Sequence, residues 1–152
     1  MCKKIYSILF GFCILMGASA TLEADLPWLT DYKEASQLAE REGKPLLLYF
    51  TGSDWCVYCK KLDAQVFSQE SFIQEVDGKY VFLLLDFPRY TSLSPNIKKQ
   101  NNLLLNTFKV HGFPTLVVLS PKGKELVRTG YRSDLIGKAY AQYLQTRIQG
   151  AD

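Results

Sequence analysis

Cys56 and Cys59 are separated by two residues at a point where the sequence changes from strand-like to helical. The preceding run, residues 45–51, is apolar, and residues 53–61 lead into a helical pattern. On a helix, positions i and i+3 share one face with Cβ atoms about 5–6 Å apart, so a small local adjustment gives disulfide geometry. The spacing therefore predicts a redox-active pair that opens and closes without refolding of the domain.

The two cysteines are expected to have different roles. Cys56 falls at the start of the helix, where unpaired backbone N–H groups and the positive end of the helix dipole stabilise a thiolate. Cys59 lies one turn further in, where it is shielded and able to attack a mixed disulfide on Cys56. We therefore predict that Cys56 is the nucleophile and that Cys59 is the resolving thiol.

Two other interpretations of the pair stay open. A structural zinc site needs four ligands, whereas the chain without the N-terminal segment discussed next keeps Cys56, Cys59 and one histidine, His111. A purely structural disulfide around two residues would constrain the unfolded chain little, because closure entropy depends on loop length. The small number of metal ligands and the short loop together favour redox chemistry with no metal. The sequence has no nicotinamide or flavin motif, so no cofactor is predicted.

The N-terminus has the pattern of a secretory signal. Two lysines precede an apolar run at 5–16, and small residues follow it at 17–20. The run is shorter than the roughly 18 residues of a spanning helix, which makes permanent anchoring the weaker alternative. Lipid attachment at Cys13 is a second alternative. Lipoprotein signals place a small residue directly before the cysteine, however, and this chain has Phe12 at that position. We predict a signal peptide at 1–20, cleaved after Ala20, and one domain at 21–152.

Composition agrees with a single exported domain. At 152 residues with 47% hydrophobic content, the chain suits one globular core. The 18 basic residues less the two lysines of the signal leave 16, against 15 acidic residues, so nothing indicates a nucleic-acid partner. Cys2 and Cys13 would leave with the signal, and disulfide chemistry persists in exported compartments. We expect a periplasmic location.

The rest of the chain alternates helical and extended patterns. The predicted elements are an extended segment at 22–29, helices at 31–42, 56–67, 69–76, 95–109 and 134–149, and strands at 46–50, 80–85, 116–119 and 125–128. Thr30 is the predicted N-cap of the first helix. The residues predicted to face the core on the last helix are Leu135, Ala139, Tyr143, Leu144 and Ile148. This order predicts an α/β fold.

Two separated motifs resemble the thioredoxin-like superfamily. Trp-Cys-x-x-Cys-Lys follows a strand at 55–60, and Gly-Phe-Pro-Thr precedes a β-hairpin at 112–115. The likeness covers about residues 30 to 149, and the segment 51–56 with the signal is similar to exported bacterial thioredoxin-like proteins. It implies a thioredoxin fold with a central mixed sheet of four to five strands flanked by helices.

The resemblance also implies an arrangement of the site. Pro114 would be a cis-proline facing the cysteines, and Gly130 would match the glycine of a third loop. Cis bonds are cheap only before proline, and such a bond would turn the backbone of Phe113 toward an extended peptide, although a trans proline that starts a strand stays possible. The predicted substrate-binding residues are Trp55, Val57, Tyr58, Phe113 and Pro114, with Tyr90 on a neighbouring loop.

The sequence departs from the family at one position. The buried acid of the strand before the site falls at Tyr49, which puts a carboxylate proton shuttle at that place in doubt. We interpret Asp86 as a strand-end turn residue rather than a substitute, and His111 as a surface residue rather than a base.

These observations predict a periplasmic thiol-disulfide oxidoreductase that acts mainly as a reductase through its Cys-Val-Tyr-Cys dithiol. The expected substrates are exported proteins or small molecules with disulfides. The expected electron donor is a membrane thiol relay of the DsbD kind, because the chain has no cofactor motif, and the protein is expected to be a monomer. The alternatives are an oxidant or isomerase of the same fold and a peptide-binding module without turnover.

Overall fold

A computed structural model describes residues 25–151 of the chain, so the predicted signal peptide at 1–20 lies outside the described residues. The strands are β1 (Trp28–Leu29), β2 (Leu46–Thr51), β3 (Val81–Asp86), β4 (Thr115–Leu119) and β5 (Glu125–Gly130). The helices are α1 (Tyr32–Glu42), α2 (Val57–Leu62), a π-helical segment (Asp63–Phe67), α3 (Glu70–Val76), α4 (Pro95–Thr107) and α5 (Lys138–Gln149). The predicted α/β fold is confirmed.

The five strands form one mixed sheet in the order β1-β3-β2-β4-β5. β3 pairs in parallel with β1 and with β2, whereas β4 pairs antiparallel with β2 and with β5. The predicted extended segment at 22–29 thus contains a two-residue edge strand. β2 is the central strand, and the Cys-x-x-Cys segment follows its carboxyl end.

All six residues of β2 are buried, because both faces of the sheet are covered. Successive side chains of a strand point to opposite faces. Tyr49 enters the apolar core that α3 and α5 cover, and Phe50 enters the one that α1 and α4 cover. This explains the continuous apolar run in the sequence. The parallel register pairs Thr51 with Asp86, so β2 and β3 end together at one edge of the sheet.

The predicted helix at 56–67 is interrupted by a π-helical segment. α2 ends at Leu62, and over the next five residues the backbone widens until the N–H of Ser68 donates to the carbonyl of Asp63 at 2.8 Å. A π-segment inserts one residue into a turn, and such segments frequently mark functional sites. It also leaves the carbonyl of Gln65 as the acceptor for the N–H of Gly137 at 2.9 Å.

Two helix starts differ from the prediction. The N-cap of the first helix is Asp31 and not Thr30, because the Asp31 carboxylate accepts from the N–H of Glu34 at 2.8 Å. The last helix begins at Lys138 and not at 134, since Gly137 has a φ of +49° and interrupts the helical backbone there.

The late start of α5 also changes which residues are buried. Ala139 is exposed, so its predicted core position is wrong. Tyr140, Ala141 and Leu144 are the buried residues of α5. Tyr140 replaces Ala139 in the core and donates from its hydroxyl to the carbonyl of Gly130 at 2.7 Å.

We predict that Gly130→Ala destabilises the oxidised protein. A Cβ at Gly130 would lie 2.8 Å from the carbonyl oxygen of Pro114, a backbone atom that cannot move aside cheaply. Overpacking of this kind costs about 1–3 kcal/mol, which urea unfolding would measure. Gly112→Ala is the matched control, because nothing lies within 4 Å of its Cβ position. Equal midpoints for the two variants would contradict this account of the contact.

Candidate active site

Cys56 and Cys59 form a disulfide with their Cα atoms 5.2 Å apart. Cys56 is the N-cap residue of α2, and its sulfur accepts a hydrogen bond from the N–H of Cys59 at 3.2 Å. Cys56 is 5% exposed, whereas Cys59 is completely buried. After reduction the same N–H can stabilise a thiolate on Cys56, so the geometry supports the predicted division of roles.

A groove runs beside the disulfide on the side of β5. The Phe113–Pro114 peptide bond is cis, as expected. Tyr58, Phe113 and Pro114 line the groove together with two residues that were not predicted to bind substrate, Gly130 and Tyr131. The rings of Tyr58 and Tyr131 lie 5.6 Å apart and form an aromatic wall. Val57 is 64% exposed and does not line this groove.

Trp55 packs against Phe113 but does not line this groove. The rings of Trp55 and Phe113 are 5.8 Å apart and nearly perpendicular. The indole Nε1 donates to the carbonyl of Phe87 at 2.8 Å. A Cβ at Gly52 would lie 2.5 Å from the indole ring, so the chain needs glycine there for the ring to take this position. These contacts hold Trp55 between the loop that contains Phe87 and the loop that contains Phe113.

A carboxylate lies behind Cys59, at a position that the sequence analysis did not identify. The hydroxyl of Tyr49 donates to the carboxylate of Asp63 at 2.9 Å and lies 3.4 Å from the carbonyl of Cys59. The Thr51 hydroxyl donates to the Tyr49 oxygen at 3.1 Å. Spacing could have identified Asp63, since it stands four residues after Cys59 and shares its helix face.

Burial raises the pKa values of both Asp63 and Tyr49. Burial raises the pKa of Asp63, although the hydrogen bond from Tyr49 opposes the change, and the charge of Asp86 adds to it. Burial also raises the pKa of Tyr49, so its phenol stays protonated. Asp86 itself accepts from the N–H of Ser53 at 3.0 Å and from its hydroxyl at 2.6 Å. Asp86 therefore holds a turn, as its interpretation as a strand-end residue requires.

The described residues show neither a cluster of metal ligands nor a helix that could span a membrane. Over residues 25–151, no group of three or more His, Cys, Asp or Glu side chains is arranged to bind a metal ion. His111 is exposed in the loop before Pro114. In the same range, no helix has the length and apolar character that crossing a bilayer requires.

Known proteins are similar to this chain in sequence and in structure. A family model described as a thioredoxin-like domain matches residues 32–145. The disulfide bond reductase DsbH of Chlamydia pneumoniae is 32% identical over 127 residues, which cover 83% of this chain and 75% of the relative. A solved structure of a DsbH oxidoreductase matches with a TM-score of 0.79 and 30% identity, covering 89% of this chain and 92% of the other. The thioredoxin fold predicted from the sequence is confirmed.

A larger protein contains a similar region. The thiol:disulfide interchange protein DsbD of Campylobacter jejuni (strain RM1221) is 29% identical over 116 residues. These residues cover 73% of this chain but 18% of the relative, so the similarity concerns a small part of DsbD.

We predict that Asp63→Asn stabilises the oxidised protein at neutral pH. The pKa of Asp63 is raised from 3.8 on folding, so the folded protein holds this proton to higher pH than the unfolded chain does. The stability of the wild type therefore falls as the pH rises from the unfolded pKa through the folded pKa, and it stays lower above that range. Asparagine does not ionise and can still accept from Tyr49, so the variant lacks this fall. Urea unfolding between about pH 3 and 8 measures the difference, which should vanish below the unfolded pKa.

Asp134→Asn is the control with the opposite sign. The hydrogen bond from Arg132 lowers the pKa of Asp134, so this carboxylate adds stability above its unfolded pKa and the variant should gain none. A gain of equal size in both variants would show that removing any negative charge is enough.

Proposed function

Because the chain belongs to the thioredoxin-like family, as a thiol-disulfide oxidoreductase with a Cys56–Cys59 disulfide, we propose that it acts mainly as a disulfide reductase on exported substrates in the periplasm. The observation that carries the exchange chemistry of this proposal is the unequal burial of the pair, with Cys56 at 5% exposure and Cys59 at none. One sulfur can meet a substrate, and the other can only meet its partner.

The reaction proceeds by two thiol-disulfide exchanges. The Cys56 thiolate attacks one sulfur of the substrate disulfide, which forms a mixed disulfide and releases the first substrate thiolate. Cys59 then attacks the Cys56 sulfur, which releases the second substrate thiolate and leaves the Cys56–Cys59 disulfide. Two electrons pass to the substrate, and a donor dithiol must return them before the next turnover.

Asp63 supports the second exchange as the acceptor of the Cys59 proton. The pKa of its carboxyl is raised by burial, which makes it a stronger base than an exposed aspartate. Its bond to Tyr49, whose hydroxyl is 3.4 Å from the Cys59 carbonyl, places the carboxylate near the backbone of the resolving cysteine. Asp63 would then serve in place of the strand acid that Tyr49 replaces.

The residues around Cys56 favour reduction over oxidation. Strong oxidants of this fold have a stabilised reduced form, and Val57 and Tyr58 between the cysteines supply no charge for that purpose. The two lysines that follow have other contacts. Lys60 donates to the carbonyl of Asp54 at 3.1 Å, and the Lys61 ammonium lies 5.4 Å from the Tyr58 ring centroid.

The names of two relatives support the proposed reaction and donor. DsbH is named a disulfide bond reductase, and DsbD is named a thiol:disulfide interchange protein. We propose that a membrane thiol relay of the DsbD kind reduces the Cys56–Cys59 pair. The predicted signal at 1–20 would deliver the protein to the periplasm, the compartment in which we propose that it meets this relay.

The redox potential separates the reductase from an oxidant or isomerase. We expect equilibration with glutathione buffers to give a potential nearer the about −270 mV of thioredoxin than the about −120 mV of DsbA. The reason is the uncharged Val57-Tyr58 dipeptide beside the Cys56 sulfur. A potential above about −180 mV, the value of protein disulfide isomerase, would overturn the reductase proposal in favour of the oxidant or isomerase.

Trapping experiments test the roles of the two cysteines. Cys59→Ser should accumulate a mixed disulfide with a peptide disulfide, because the attacking thiol remains and the resolving thiol is gone. Cys56→Ser should form none, since Cys59 is buried. In the reduced wild type, mass mapping should find Cys56 alkylated before Cys59. A Cys56→Ser variant that keeps its peptide affinity and its cellular role would indicate a binding module instead.

A further inference from the structure

The loop of residues 87–91 is fastened to the segment just before Cys56. The Asp54 carboxylate accepts hydrogen bonds from the backbone N–H groups of Arg89 at 3.0 Å, Tyr90 at 2.8 Å and Thr91 at 3.1 Å. Burial alone would raise the pKa of Asp54, but these bonds outweigh it and lower the pKa. Three donors on one carboxylate fix the loop backbone, so its side chains are presented in a preorganised arrangement.

Arg89 is the charged side chain that this loop places against Trp55. Its guanidinium carbon lies 3.8 Å from the ring centroid of Trp55, the residue directly before Cys56. A guanidinium stacked on a ring keeps its in-plane N–H donors free for a planar acceptor. Within the described part of the chain, no salt bridge includes Arg89, and the side chain is exposed.

A polar cleft of about 320 Å³ opens beside Arg89, between the loop and α4. Lys98 lines it and, among the salt bridges of residues 25–151, takes part in none. Asp86 also lines the cleft, but both of its oxygens accept hydrogen bonds from Ser53. Asp54 is satisfied by the loop in the same way. The cleft therefore offers two cations to a ligand, while the nearby carboxylates are already hydrogen-bonded.

The position of Arg89 matches the path of a bound peptide. A peptide that pairs with the backbone at Phe113 runs past Trp55, whose ring is 5.8 Å from that of Phe113. An extended chain advances about 3.3 Å per residue. A group about two or three residues from the substrate cysteine can thus reach the guanidinium that lies over the indole ring.

We propose that Arg89 and Lys98 form a subsite that binds a carboxylate of the disulfide substrate. This inference rests on the proposed function and adds a substrate class to it: disulfides with an acidic group close to the reactive cysteine. The same chemistry occurs in an acidic side chain of an exported protein and in the carboxylates of a small disulfide such as glutathione disulfide.

The test compares two peptide disulfides that differ only by Glu or Gln two residues from the cysteine. Reduced protein is mixed with each peptide, and stopped-flow fluorescence gives the second-order rate constant of reduction. We expect the wild type to prefer the Glu peptide by about fivefold at low ionic strength, the size of one partly exposed ion pair. Added salt should reduce the preference.

Variants locate the preference in the subsite. Arg89→Gln and Lys98→Gln should each lower the Glu/Gln ratio toward one, and Asp54→Ala should lower it with Arg89 still present, because the loop is released. The ratio cancels any general loss of activity. Lys122→Gln is the matched control, since it removes the same charge from an exposed turn at the far end of β4 and should leave the ratio unchanged.

Glutathione disulfide and its esterified form make the second substrate pair. Sensitivity to Arg89→Gln in either pair supports the subsite and shows which source of carboxylate it binds. Equal rates within both pairs, or preferences that Arg89→Gln leaves intact, overturn the subsite while the reductase proposal stands. A wild type that reduces none of the four substrates overturns the reductase proposal itself.

Discussion

The shared edge where β2 and β3 end fixes the position of the groups around the disulfide. The N–H of Phe87 donates to the carbonyl of Thr51 at 2.9 Å, which extends the pairing of the two strands by one step. The Asp86 carboxylate then holds Ser53, and the indole of Trp55 donates back to Phe87. These bonds join the turn before the cysteines to the loop after β3 and fix their relative position. The site therefore depends on the register of one buried strand pair.

The polar network behind Cys59 depends on the same strand. A phenol at 2% exposure on the central strand needs hydrogen-bond partners, since an unsatisfied buried group costs about 1–3 kcal/mol. Thr51 and Asp63 supply them, one from β2 itself and one from the π-helical segment. Asp63 is half-buried and its raised pKa lowers stability at neutral pH. Asp63 thus satisfies the Tyr49 phenol at a cost in stability, and a raised carboxyl pKa of this kind also suits the proton-transfer role that we propose for it.

The sequence predicts what local patterns determine. The Cys-x-x-Cys spacing, the Phe113-Pro114 dipeptide and the apolar strands each carry their signal within a few residues. The contacts of Asp54 were not predictable in this way, because its partner Tyr90 is 36 residues distant and only the fold brings them together. Apolar periodicity also could not show that a π-segment adds one residue to a turn, or that a positive φ at Gly137 delays the last helix.

Two surfaces near the cysteines suit different tasks. The groove at Phe113 and Tyr131 offers backbone pairing and aromatic surface, which accept many peptide sequences. The loop held by Asp54 presents a cation against Trp55, which in the proposed subsite distinguishes substrates by charge and raises their encounter rate. The dipeptide that most directly affects the Cys56 sulfur, Val57-Tyr58, carries no charge. On this arrangement Tyr58 belongs both to the dipeptide and to the groove, whereas the charge preference comes from Arg89, outside the dipeptide, and can change while the dipeptide stays the same.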